Sequence, residues 1–205
     1  MVLGLGSGTT AQWFIIGLGE KVSHGLDVRG VPTSLASATL AAANGIPLVE
    51  LDRRGVDLAV DGADAVDHDL RLIKGRGAAM VREKIVAAAA HRFVVIVDSS
   101  KLSTELRGTL PVEVIPFGVE HTLALLEATG GRFTLRGEGN GAPVHTDNGN
   151  LVADGEYAAI PDPEGLAERI QGIPGAAGHG LFLGMADEVV IGFDDGHVDR
   201  RTPAR

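Results

Sequence analysis

Short apolar runs alternate with helix-patterned segments through the first half of the chain, and this rhythm constrains the fold more than any other feature. Residues 2–5 read as a strand, and a Gly/Ser/Thr loop leads from it into a helix near 10–22. Residues 27–31 read as the next strand, followed by a helix over 35–43 that ends at Asn44-Gly45, a pair suited to a left-handed cap. Residues 47–51 and 56–60 are strand candidates, and a helix is expected near 77–90. The run 92–97 is rich in β-branched residues, as in a strand buried on both faces. Together these predict an α/β domain, a Rossmann-like parallel sheet with helices on both sides.

The second half reads differently. Strands are expected at 110–115, 133–136 and 151–153, with helices at 120–128 and 163–171. A small α+β unit over 107–182 is therefore expected to interrupt a larger domain made of 1–106 and 183–205. The last strands, near 189–193 and 197–200, would then return to the first sheet.

Composition excludes several classes of function. Eighteen Lys and Arg against 27 Asp and Glu leave a net charge of −9, which argues against nucleic acid or an anionic membrane as partner. A local pocket for a single anion is compatible with that balance. The 29 glycines are about twice ordinary usage and point to tight turns where backbone approaches a ligand. Zero cysteines exclude a disulfide scaffold and thiolate zinc sites, and fit a reducing cytosol. No segment approaches the ~18 apolar residues of a membrane helix. The apolar first 19 residues lack the basic start of a signal peptide. The chain opens abruptly in a strand of buried type, which suggests a truncated or mis-assigned start.

In open parallel sheets, ligands bind beyond the carboxyl ends of the strands, and four loops of this chain fall there. The first, from Gly4 to Thr10, offers backbone N–H groups and hydroxyls at a helix start, a place for phosphate. Thr9 stands where a dinucleotide fingerprint needs glycine, and no Walker lysine follows, so a monophosphate suits it better than a nucleotide. The alternative is a plain turn capped by Thr9 or Thr10. The second loop sets Asp61, Asp64, Asp67 and Asp69 within nine residues, carboxylates able to accept sugar hydroxyls, move protons or hold a cation. Their spacing is not that of a calcium loop, and a solvated acidic turn is the alternative. The third loop, Lys74-Gly75-Arg76-Gly77, opens into a helix that places Glu83 on an apolar face. Desolvation raises the pKa of such a carboxylate, which suits a general base near neutrality; a surface pair with Arg82 or Lys84 is the alternative. The fourth, at residues 98–101, carries Lys101. The seven histidines are scattered, and His68, His145 and His179 read as structural.

These blocks resemble the type A ribose-5-phosphate isomerase family. The resemblance runs nearly end to end: GLGSGTTA at 4–11, VDLAVDGADAVD at 56–67, LIKGRGAAMVREKIVA at 72–87, VDSSKL at 97–102, LPVEVIPF at 110–117 and TDNGN at 146–150. It implies a Rossmann-like domain with a small ferredoxin-like insertion, and interconversion of ribose 5-phosphate and ribulose 5-phosphate with neither metal nor organic cofactor. It also implies a cytoplasmic homodimer or homotetramer of the pentose phosphate pathway, acting on a small sugar phosphate.

By the same resemblance Glu83 is the general base, and Asp61, Asp64 and Lys74 orient the sugar and assist ring opening and proton transfer. Ser7, Gly8, Thr9 and Thr10, then Asp61, Gly62, Ala63 and Asp64, then Lys74, Gly75, Arg76 and Gly77, with Lys101, are the substrate-binding positions. Four departures stand out. Ser7-Gly8-Thr9-Thr10 replaces Thr-Gly-Ser-Thr and keeps every hydroxyl position, Ala65 replaces a Glu, Arg76 replaces a Gly, and the family's N-terminal helix is absent. Two other functions fit parts of the pattern: a sugar-phosphate sensor without turnover, and a coenzyme A transferase with Glu83 as nucleophile. The position of Glu83 inside a helix speaks against the latter.

Overall fold

Parallel strand pairs need long crossovers, and helices supply them in the first of two compact units. The computed structural model describes residues 1–139 and 141–203. Its elements begin β1 (Val2–Leu5), α1 (Thr9–Ser23), β2 (Arg29–Pro32), α2 (Leu35–Ala43) and β3 (Leu58–Asp61). Next come the two-residue strands β4 (Ala65–Val66) and β5 (Leu72–Ile73), helix α3 (Met80–Ala88) and strand β6 (Phe93–Asp98). Then follow β7 (Gly108–Val114), α4 (Val119–Glu127), β8 (Arg132–Leu135), β9 (Leu151–Tyr157) and α5 (Pro163–Gln171). The chain closes with β10 (Ala176–His179), β11 (Leu181–Phe182), β12 (Glu188–Gly192) and β13 (Val198–Arg201).

The first unit holds Met1–Ala63, Arg82–Leu102 and the chain from Gly184 onward. Its six-stranded sheet runs β13-β12-β6-β3-β1-β2, all neighbours parallel except β12 and β13. Leu3 and Leu5 of β1 join Ile15, Leu18, Val28, Ala41 and Ile46 in one core cluster under α1 and α2. Gly4, between them, faces the other way: a Cβ there would lie 2.5 Å from the Val86 side chain on α3. Alternation along one strand thus decides that helices cover both faces. α2 begins where expected because the Ser34 hydroxyl accepts the Ser37 amide while the Ser37 hydroxyl accepts that of Ser34.

Two expectations need correction here. Residues 47–51 form no strand; Leu48 makes only an isolated bridge to Gly30, and Pro47, lacking an N–H, only accepts, from the Gly30 amide at 2.8 Å. Nor is β6 buried evenly on both faces, since Phe93, Val95 and Val97 are buried while Val94 and Ile96 are half-buried.

The second unit holds Asp64–Val81 and Ser103–Leu183. Its four-stranded antiparallel sheet runs β10-β7-β9-β8, and Leu110, Val112, Val114, Phe133 and Ala153 pack with Leu126 of α4 and Leu166 and Ile170 of α5. A second sheet, β11-β5-β4, is also antiparallel. The final strands β12 and β13 do return to the first sheet, as expected. The division expected at 107–182 differs, because 64–81, 103–106 and Leu183 group with the second unit. The physical reason is pairing: Leu181 and Phe182 lie opposite Ile73 and Leu72, and the Ser103 amide donates to the Val66 carbonyl at 2.8 Å. Positions 204 and 205 of the expected first domain lie outside the described residues.

Candidate active site

In the first unit the loop after β1 is shaped by a carboxylate from β3. Asp61 is 3% exposed, and its Oδ1 accepts the amides of Ser7 at 3.0 Å and Gly62 at 2.7 Å. The loop can come this close only because residue 6 is glycine; a Cβ there would sit 2.6 Å from the Asp61 Cα. Gly8 is the N-cap of α1, with φ +88° and no side chain to cap it, so neither Thr9 nor Thr10 plays that part. The Ser7 hydroxyl is engaged with the protein, 2.8 Å from Thr33 Oγ1 and 2.7 Å from Ser34 Oγ.

Glu83 lies on α3 at 5% exposure, beside Val86 and Ala87 on the buried helix face. Glu83 is therefore not a surface residue. Glu83 and Asp61 border one interior space, too small for a water molecule, together with Gly4, Gly6 and Thr33. Burial also lowers the neighbouring Lys84 to a pKa of about 8. Lys101 ends a single 3-10 turn, Ser99–Lys101, whose start is capped by Asp98 accepting the Ser100 amide at 2.9 Å. The Ser100 hydroxyl bonds the same carboxylate and, as the main cause, holds Asp98 below the usual carboxylate range.

In the second unit the loop Lys74–Gly77 is fixed from several sides. The Lys74 amide donates to the Gly180 carbonyl at 2.8 Å, and its ammonium stands 5.4 Å from the centre of the Phe182 ring, with the residue 3% exposed. Gly75 has φ +113°, which favours glycine, and an added Cβ would meet Met80 and Pro111. The Arg76 amide donates to Asp64 Oδ2 at 2.9 Å, while its guanidinium is 80% exposed and stays 3.8 Å from Asp64 Oδ1. Arg76 does not adopt positive φ, whereas Ala78 does, at 59°. Strain at position 76 is thereby ruled out. A cavity of about 540 Å³ in this unit is lined by Asp64, Arg76, Arg107, Thr109, Arg136 and Asp154.

The crowded carboxylates of the second loop each find a partner, Asp67 and Asp69 sharing Arg71. Asp61 binds loop amides and Asp64 the Arg76 amide. Asp67, 1% exposed, takes Arg71 Nε at 2.7 Å, and Asp69 lies 3.3 Å from Arg71 and from His68. Asp67, His68 and Asp69 bring ligand atoms within 4.8 Å of one another, but Arg71 already compensates Asp67. His179 is buried and structural, its Nδ1 accepting the Leu181 amide. Sequence reasoning missed Thr33, Ser34, Arg136 and Asp154. The Ser34-x-x-Ser37 spacing before a helix marks Ser34; the other three depend on strand pairing, Thr33 beside Leu5 of β1 and Arg136 beside Asp154 of β9.

Comparison with known proteins fixes the family. The model for ribose 5-phosphate isomerase A (phosphoriboisomerase A) matches residues 29–196. The chain belongs to the ribose 5-phosphate isomerase A family. A relative from Roseiflexus sp. (strain RS-1), "Ribose-5-phosphate isomerase A", is 50% identical over 209 residues, spanning 100% of this chain and 90% of its own length. The solved structure of ribose 5-phosphate isomerase A from Methanocaldococcus jannaschii superposes with a TM-score of 0.93 at 41% identity, covering 98% of this chain and 91% of that one. A D-ribose-5-phosphate isomerase solved in complex with phospho-erythronic acid gives 0.94 at 41% identity, covering 98% and 90%. The isomerase interconverts D-ribose 5-phosphate and D-ribulose 5-phosphate, a step of the pentose phosphate pathway.

Proposed function

We propose that Glu83 is the general base of this reaction, supported by Asp61, Asp64 and Lys74. The observation that carries the reading is that the buried Glu83 and the buried Asp61 border one small interior space beside Gly4 and Gly6. In the open-chain aldose, the Glu83 carboxylate takes the proton from carbon 2 and returns it to carbon 1. Between these steps the electrons rest in an enediolate, and a hydroxyl proton passes from O2 to O1. A carboxylate is too weak a base to do this alone, so the developing oxyanion needs the Lys74 ammonium and backbone donors. Asp61 and Asp64 hold sugar hydroxyls and assist ring opening. Ser7, Gly8, Thr9 and Thr10, with Gly62, Ala63, Gly75, Arg76, Gly77 and Lys101, complete the substrate contacts. Ser7 serves by shaping the loop, since its hydroxyl bonds Thr33 and Ser34 and its amide donates to Asp61. The phospho-erythronic acid bound by the relative is the kind of acid analogue that an enediolate-forming enzyme holds. The reading extends to a cytoplasmic homodimer or homotetramer, checked by sedimentation. No described helix is long and apolar enough to cross a membrane.

A coupled assay with ribose 5-phosphate on wild type and Glu83→Gln tests it. The amide keeps shape and hydrogen bonding but lacks the basic lone pair. Turnover should fall by about 10²–10⁴-fold, or ~3–6 kcal/mol of transition-state stabilisation, with the melting temperature preserved. A kcat within about threefold of wild type would remove Glu83 from its role.

A further inference from the structure

We infer that Arg136, locked by Asp154, is a positioning residue that aims the backbone of the Lys74–Gly77 loop at the substrate. Arg136 follows β8, and Asp154 lies on the neighbouring β9, four positions before its end at Tyr157 when counted inclusively. Two donors of the guanidinium go to the carboxylate: Nε to Oδ2 at 2.8 Å and Nη2 to Oδ1 at 2.5 Å. Its third nitrogen, Nη1, turns to the loop and donates to two successive carbonyls, Gly75 at 3.1 Å and Arg76 at 2.8 Å. Both side chains are largely buried, at 17% and 20% exposure. Such a fork–fork pair holds a guanidinium in one plane, so its remaining donors point in a fixed direction.

The consequence for the loop follows from peptide geometry. The chain has no cis bonds among the described residues, and in a trans peptide the N–H points opposite to the C=O. Holding the Arg76 carbonyl against Arg136 therefore turns the Gly77 N–H to the opposite side. The preceding peptide is fixed at both ends, its carbonyl by Arg136 and the Ala78 amide, its N–H by Asp64 Oδ2. The stretch 75–78 includes two residues at positive φ, Gly75 and the non-glycine Ala78. A backbone in that state persists only when its surroundings over-determine it. Arg136 supplies that determination from some sixty positions away in sequence, and the Gly77 N–H becomes a pre-aimed donor for a substrate oxygen.

The inference rests on reading Lys74–Gly77 as a substrate-binding loop. In Arg136→Gln, KM for ribose 5-phosphate should rise about tenfold, the scale of a lost charge-assisted contact, with kcat within about threefold. Arg136→Lys keeps the charge without the fork and should fall between wild type and Gln. Asp154→Asn frees the guanidinium and should raise KM in the same direction, and the double variant should be no worse than Arg136→Gln, because both changes break one device. A purely structural role predicts lowered melting temperatures with KM unchanged, and that result overturns the inference. Should Arg136→Gln fail to fold, Arg136→Lys and Asp154→Asn decide by the same split. Lys74→Met separates the two levels: wild-type kinetics in Lys74→Met sinks the loop reading itself, whereas an impaired Lys74→Met beside a normal Arg136→Gln sinks the positioning role alone.

Discussion

Arg76 stands at one of the positions where the resemblance implies another residue, a glycine, and the structure narrows what it can do. Ordinary φ excludes backbone strain, so replacing it by glycine relieves nothing. Its guanidinium is mostly in solvent and only loosely beside Asp64, so its contribution is a screened local charge in a chain of net −9. Arg76→Gly should therefore raise KM for the phosphate dianion about three- to tenfold with little change in kcat, the pattern of lost uniform binding. The effect should shrink as salt rises from about 50 to about 500 mM, as screening shortens the reach of the charge. Equal KM values for the two proteins at low salt would take Arg76 off the list of substrate contacts. Much of the site was legible at this scale, because Gly6, Asp61, Lys74 and Glu83 carry their chemistry in type and spacing. Arg136 and Asp154 were not, because an Arg just past β8 and an Asp on β9 become a pair only through the register of those strands.

At the scale of elements, legibility followed the strength of the end signals. Helices α2 and α5 start and stop where the sequence places them, since Ser34 and Asp162-Pro163 cap their beginnings and Asn44-Gly45 closes α2. The strands β4 and β5 have two residues each and no periodicity to detect. Helix α3 carries a measurable stress of its own. Burial lowers Lys84 from 10.5 to about 8. Below pH 8 the folded and unfolded chains both hold the proton, and the cost of burying the charge is fully felt. Between about pH 8 and 10.5 the folded chain releases the proton and the unfolded chain keeps it, so stability rises with pH through that window. Lys84→Met should abolish the rise and increase stability at pH 7 by up to about 3 kcal/mol. Urea melts of both proteins at pH 7 and pH 10 measure it; a pH-independent difference between the two proteins would contradict the assignment.

The whole molecule shows why a domain boundary is harder to read than a fold class. The parallel sheet was visible because each strand and its crossover are adjacent in sequence, and the return of β12 and β13 to it follows from their apolar runs. Residues 64–81 looked like part of that first sheet's loops, because they lie between β3 and α3. Their partners come from far along the chain: β5 pairs with β11, and the Lys74 amide binds the Gly180 carbonyl. Pairing over such separations leaves no local mark. If these ladders govern cooperativity, the segment opens with the second unit and not with its sequence neighbours. Native-state hydrogen exchange at increasing urea should then give the amides of Asp64 and Lys74, bonded to Ile73 and Gly180, the opening free energy of the β7–β9 amides. The amides of Leu5 and Val60 in the first sheet should report a separate value. Exchange of Asp64 and Lys74 in step with the first sheet instead would place 64–81 with 1–63, and the division of the chain would revert to the one its sequence implied.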